Sequence, residues 1–169
     1  MSEIEFLQRL RVVRHFTDEP ISDSDLDRIL ETARWVGSSK NRQDWRFVVI
    51  RGREKISRLA ECGDYTDPMR RAPLVIAPVG LPTSYEWDLG RVSHAIMLAA
   101  SALNIGSCPQ TLHRHDCARQ VLSVPDDHSC RIAIALGHTD REAEERARAK
   151  AKMRGRDPLI DLVRYETFA

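Results

Sequence analysis

Residues 12–50 read VVRHFTDEPISDSDLDRILETARWVGSSKNRQDWRFVVI, a stretch that lays a helix, a polar loop and a strand end to end. Pro20 closes the opening segment, and Ser22 or Asp23 offers an oxygen to the first free N–H groups of a helix. Leu26, Ile29, Leu30 and Ala33 then recur at steps of three and four, the period of a helix buried along one face. RFVVIR (46–51) is β-branched and predicts a strand. Between them GSSKNRQDW (37–45) gathers hydroxyls, an amide and two cations before a tryptophan. Two readings stand: an ordinary connection in which Asn41 satisfies its own turn, or a cradle for a flat anionic ligand.

Working outward, residues 3–11 predict a short first helix and 54–62 a further one, with 62–73 as loop. LVIAPV (74–79) predicts a strand buried on both faces, and CRIAIALG (130–137) a third strand. WDLGRVSHAIMLAASALNIG (87–106) is a long helix pattern ending at Gly106, which suits a left-handed cap. Its apolar residues spread beyond one stripe, so a partner subunit is expected to cover the excess. A short helix over 115–124 and a charged, alanine-rich helix from 141 follow, then a break at Gly155 and Pro158 and an apolar tail. Strands separated by helices favour α/β or α+β architecture.

With 169 residues, 42% apolar and 30% charged, the chain has the balance of one soluble domain. Its net charge of +1 gives no global pull toward nucleic acid or anionic membrane. No signal peptide or membrane-length apolar run is visible, which predicts a cytoplasmic protein. The four cysteines, Cys62, Cys108, Cys117 and Cys130, form no CxxC pair and read as free thiols.

Phosphate loops, GxGxxG, GxSxG and HExxH patterns are lacking. His113, His115, Asp116 and Cys117 have metal-ligand chemistry, yet their spacing favours Asp116 as a helix cap, and no metal is expected. Cys108 reads as a buried filler, and the charged helix as a solvated one with its glutamates early and its cations late, as the helix dipole prefers. Basic clusters remain at 9–16, 37–43 and 154–158, supplying the guanidinium forks, hydroxyls and amide that a phosphate and a polar heterocycle require.

The 12–50 stretch resembles the N-terminal signature of the FMN-dependent nitroreductase family, an arginine-bearing start followed by S-x-x-N-x-Q-x-W into a strand. LNIGSCPQT (103–111) and GRDPLIDLVRYE (155–166) are similar to two later segments of that family, so the likeness runs through nearly the whole chain. It implies one α+β domain over 1–169, a central mixed β-sheet wrapped by helices, in an intertwined homodimer whose tails, from about 155–169, reach across to the partner. It implies FMN at the interface. Arg11 and Arg14 would meet the flavin, Ser38, Ser39 and Asn41 would reach it from the opposite subunit, Pro109, Gln110 and Thr111 would line the ring, and Arg154 and Arg156 would hold the phosphate.

The implied activity is NAD(P)H-driven two-electron reduction of nitroaromatics, quinones or similar flat acceptors by a ping-pong course. Chemistry would reside on flavin N5, with no protein general acid. Tyr65 and Trp87 are candidates for packing near the acceptor, or plain core. Departures are Leu10 for an arginine, Val12 for a serine and Asp44 for a proline, with Arg9, Arg154 or Lys152 available to compensate at the phosphate. These departures motivate an alternative, a non-catalytic flavin or deazaflavin binding or storage protein. Dehalogenation or fragmentation of the flavin itself is a further enzymatic alternative.

Overall fold

The computed structural model describes residues 2–151 and 154–168. Helix α1 (Glu3–Arg9) opens with a reciprocal cap, Ser2 Oγ accepting from Glu5 N at 3.3 Å and Glu5 Oε2 from Ser2 N at 2.8 Å. Helix α2 (Asp23–Arg34) starts at Ser22, whose hydroxyl accepts from Asp25 N at 3.0 Å, and buries Leu26, Ile29 and Ala33 as its spacing predicts. Then come β1 (Trp45–Ile50), α3 (Arg53–Ala60), α4 (Asp67–Arg71), β2 (Leu74–Gly80) and α5 (Glu86–Ala102). The chain continues through β3 (Gly106–Thr111), α6 (His115–Leu122), β4 (Ile132–Gly137), α7 (Arg141–Lys150) and α8 (Leu159–Leu162).

The four strands form one sheet in the order β1-β2-β4-β3. The α+β architecture is as expected, but the sheet is not mixed: every pairing among the described strands is antiparallel. Strand β2 is buried along its whole length because helices cover both faces. On one face Val75, Ala77, Ala133 and Ala135 pack with Ile56, Leu59 and Met69 of α3 and α4, and with Ala118 and Leu122 of α6. On the other, Ile76, Ile134 and Leu136 meet Ile29 of α2 and Val92 and Ile96 of α5. Each large aliphatic side chain so enclosed stabilises the fold by about 1.5–3 kcal/mol.

Several expectations are corrected. The stretch 62–73 contains helix α4 rather than loop alone. Three strands are expected, and the described residues hold four. GSCPQT lacks the β-branched run of a strand, and becomes one by pairing residue for residue with β4. Pro109 is tolerated because β3 lies at the sheet edge, where no ladder N–H is required of it.

Gly106 is not a left-handed cap. Asn104 takes that conformation (φ 58°), and Gly106 opens β3 where an added Cβ would meet Val13 and Thr139 at 2.9 Å. Asp116 does not cap α6 either; it lies inside the first turn, paired with Arg119.

Two of the four cysteines are not free: Cys62 and Cys117, 55 residues apart in sequence, are disulfide-bonded with Cα atoms 5.5 Å apart. The end of α3 and the start of α6 meet there, a tertiary contact that spacing alone does not announce. Cys108 and Cys130 are free and buried. No helix among the described residues is long and apolar enough to cross a membrane.

Closing a loop of this length removes conformational entropy from the unfolded chain, worth about 2–4 kcal/mol. The Cys117→Ser variant is therefore expected to lose that much stability in denaturant unfolding. Dithiothreitol should lower the wild-type midpoint to the same place and leave the variant unmoved.

Candidate functional site

Residues 10–15 form neither helix nor strand, yet they are held by main-chain bonds on two sides. Val13 N donates to Ser107 O on β3 at 2.9 Å, Thr17 N to His138 O at 2.9 Å, and Asp140 N to His15 O at 3.1 Å. Glu144, in the first turn of α7, supplies the remaining anchor. Its Oε2 accepts the N–H groups of Arg14 at 2.9 Å and His15 at 3.1 Å, and its Oε1 accepts from Arg148 Nε at 3.1 Å. Arg148 also donates to Val12 O at 3.4 Å. Burial pushes the Glu144 carboxyl up, but the Arg14 N–H, Arg148 and the His15 N–H together outweigh it and hold the group below the ordinary carboxylate range.

The segment lies against the outer edge of the sheet. Ser107 O faces outward, since Val13 reaches it, and the pleat puts the main-chain groups of Pro109 and Thr111 on the same side. Pro109 has no N–H, so the Thr111 N–H is a donor on this edge. Both residues are exposed. Gln110 turns inward: it is buried, its Nε2 donates to Cys108 Sγ at 2.9 Å, and its Oε1 has no hydrogen-bond partner among the described residues. Of the two N-terminal arginines, Arg11 folds back onto its own chain, donating to Gln8 O at 2.7 Å and Leu10 O at 2.8 Å. Arg14 is exposed, and its guanidinium makes no hydrogen bond or ion pair among the described residues. A basic cleft of about 480 Å³ runs beside this segment, lined by Arg9, Arg11, Ser107, His138 and Arg141 among others.

The loop 37–44 is no relaxed connection. Lys40, Asn41 and Gln43 all take φ of 53°, a left-handed conformation that costs non-glycine residues about 1–2 kcal/mol each. Bracing offsets this. Ser38 Oγ accepts from Gln43 N at 2.9 Å, and Gln43 Nε2 donates to Asn41 Oδ1 at 3.1 Å. Arg91 donates to Gly37 O at 2.8 Å. Arg42 donates to Thr83 O at 2.9 Å, pairs with Asp44 at 3.0 Å and stands 4.8 Å over the Tyr85 ring. Asp44, the departure from proline, is thus an anchor of the loop. Ser39 and Asn41 stay exposed at its tip.

Within one chain the predicted residues do not all converge. The loop feeds β1 at one edge of the sheet, whereas Arg14, Pro109 and Thr111 line β3 at the other, with β2 and β4 between. Three strand spacings separate these edges by about 14 Å. In the tail, Arg154 pairs with Asp157, while the exposed Arg156 has no hydrogen bond or ion pair among the described residues. Lys152 lies outside the described residues. Beyond Arg156 most of the described apolar side chains are exposed, Ile160 at 82% and Phe168 at 94%.

Tyr65 and Trp87 are not core. Tyr65 is exposed and meets the His113 ring edge-on, and Trp87 opens on a groove of about 660 Å³ shared with Trp35, Val36, His94 and Leu98. His113 Nδ1 accepts from Asp64 N at 3.2 Å, and among the described residues no group of three His, Cys, Asp or Glu could hold a metal. Glu144, Arg148 and Arg42 are the site residues that sequence reasoning missed. Glu144 shows only as an acidic residue in a helix's first turn, with no local sign of its partners 129 and 130 residues away.

Comparison with known proteins gives concordant matches. The model of the "Nitroreductase family" matches residues 8–65 and 65–138. An Archaeoglobus fulgidus relative, whose name pairs NADH dehydrogenase with NAD(P)H nitroreductase, is 28% identical over 145 residues, 79% of this chain and 83% of the relative. The solved structure of an FMN-dependent nitroreductase from Clostridium difficile R20291 superposes with a TM-score of 0.82 at 25% identity, over 98% of this chain and 99% of that one. A nitroreductase family protein of Clostridium difficile 630 gives 0.80 at 26% identity, over 99% of each chain.

Because Glu144 is held below its ordinary pKa in the folded protein, its ionised form adds stability above the usual carboxylate range. That contribution is lost as pH falls through the depressed folded value. Glu144→Gln should therefore be less stable than wild type at neutral pH, with the two unfolding midpoints converging on acidification.

Proposed function

The chain belongs to the nitroreductase family, and from that premise we propose that it is an FMN-dependent NAD(P)H oxidoreductase acting as a homodimer. The observation that carries the reading is the Arg14 guanidinium, exposed and without a partner among the described residues, on a backbone pinned beside the open edge of β3. A cation so held is suited to negative charge on a flavin's pyrimidine edge, where it favours the reduced ring. The outward Thr111 N–H is suited to donate to the ring, and Pro109 to pack against it. Arg156, likewise without a partner among the described residues, suits the phosphate, with Arg154 released from Asp157 as a second fork. The donor set fits FMN, except that Gln110 faces the core and Arg11 is tied to its own carbonyls.

Ser38, Ser39 and Asn41 reach such a flavin from a second copy, since their own chain sets them across the sheet from Arg14. The exposed apolar tail and the Trp35–Trp87 groove supply surface for that copy to cover. Bound FMN would supply the redox chemistry, taking a hydride from NAD(P)H and passing two electrons to a nitroaromatic, quinone or similar flat acceptor in separate half-reactions. The protein's part is to bind, orient and polarise.

Protein purified without added flavin should carry flavin absorbance or gain it on addition of FMN, sediment as a dimer, and oxidise NAD(P)H when a quinone or nitroaromatic is present. Arg156→Ala should weaken FMN binding about tenfold or more in a fluorescence titration. A colourless protein indifferent to FMN refutes the proposal. A flavin-loaded protein with no turnover on any acceptor leaves the storage alternative in its place.

A further inference from the structure

We infer that Glu144 is the positioning residue that aims Arg14 at the bound flavin, an inference that rests on the proposed FMN reading. The carboxylate takes hold of the Arg14 main chain and spares its side chain. Had the same carboxylate paired with the guanidinium, the cation would be neutralised where the ligand needs it. Instead Arg148 balances Glu144 from the far side and secures Val12 O with the same guanidinium.

The Glu144 side chain itself is shielded from water, being 7% exposed, so the position of its carboxylate is set by the protein groups around it. Four consecutive residues are thereby tied down, Val12, Arg14 and His15 to α7 on one side and Val13 to β3 on the other. That leaves the Arg14 side chain as the part that no hydrogen bond or ion pair among the described residues holds. A glutamine at position 144 cannot reproduce the clamp. If its oxygen faces the two N–H groups, its NH₂ meets the donors of Arg148; if it is turned round, the N–H groups lose their acceptor.

The test is a double-mutant cycle on the full-length protein, with FMN dissociation constants from fluorescence quenching and the fold checked by circular dichroism. Glu144→Gln should weaken FMN binding roughly 10- to 100-fold when Arg14 is present. In the Arg14→Gln background the same change should cost less than about threefold, because the residue it acts through is gone. Equal losses in both backgrounds would mean that Glu144 serves the fold alone, and would overturn the inference.

Should Glu144→Gln fail to fold, Arg148→Gln removes the counter-cation at a half-exposed position. Its effect should likewise shrink when Arg14 is absent, and an undiminished effect overturns the inference equally. Wild-type protein that binds no FMN defeats the family-based reading of the site instead, and does so before any variant is made.

Discussion

One carboxylate oxygen of Glu144 receives two backbone N–H groups, and much of the molecule's construction serves that meeting. Strand β4 must end beside β3 for the chain to turn into α7 at the right place, and the antiparallel order of the sheet guarantees it. Asp140 then caps α7, accepting from Ala143 N at 3.0 Å, and so sets the rotation of the helix that presents Glu144 inward. A buried carboxylate is tolerated only when its lone pairs are served. Here main chain and Arg148 serve them, so a stretch without regular structure is anchored to α7 and to the sheet edge.

The loop 37–44 solves the opposite problem. It keeps Ser39 and Asn41 at the surface by accepting left-handed backbone at three positions, held by Arg42, Asp44 and Arg91. Strain of this kind persists where surrounding contacts over-determine it, and such places concentrate at functional sites. The two halves of the candidate site thus differ in kind. One is an exposed side chain on a clamped backbone; the other is a turn braced by cation, carboxylate and ring.

Helix α2 was legible in full, since Ser22 and the apolar steps from Leu26 to Ala33 act locally. Strands β1, β2 and β4 announced themselves by β-branched runs. Strand β3 did not, because GSCPQT is a strand only by virtue of the partner it finds. The same holds for the disulfide and for Glu144, both products of contacts between distant segments. In the candidate site, residue types were readable and commitments were not. Arg14 and Arg156 have no hydrogen bond or ion pair among the described residues, whereas Arg11, Gln110 and Arg154 spend donors within the chain.

The Cys62–Cys117 bond closes a covalent ring around α4, β2, α5 and β3, which includes one of the two inner strands and the edge that Arg14 borders. A single peptide-bond scission anywhere inside that ring leaves one molecule, with both fragments still tethered. A scission outside it frees a fragment that only packing retains. The middle third of the chain therefore survives a single cut as one covalent piece, where the segments on either side of it do not.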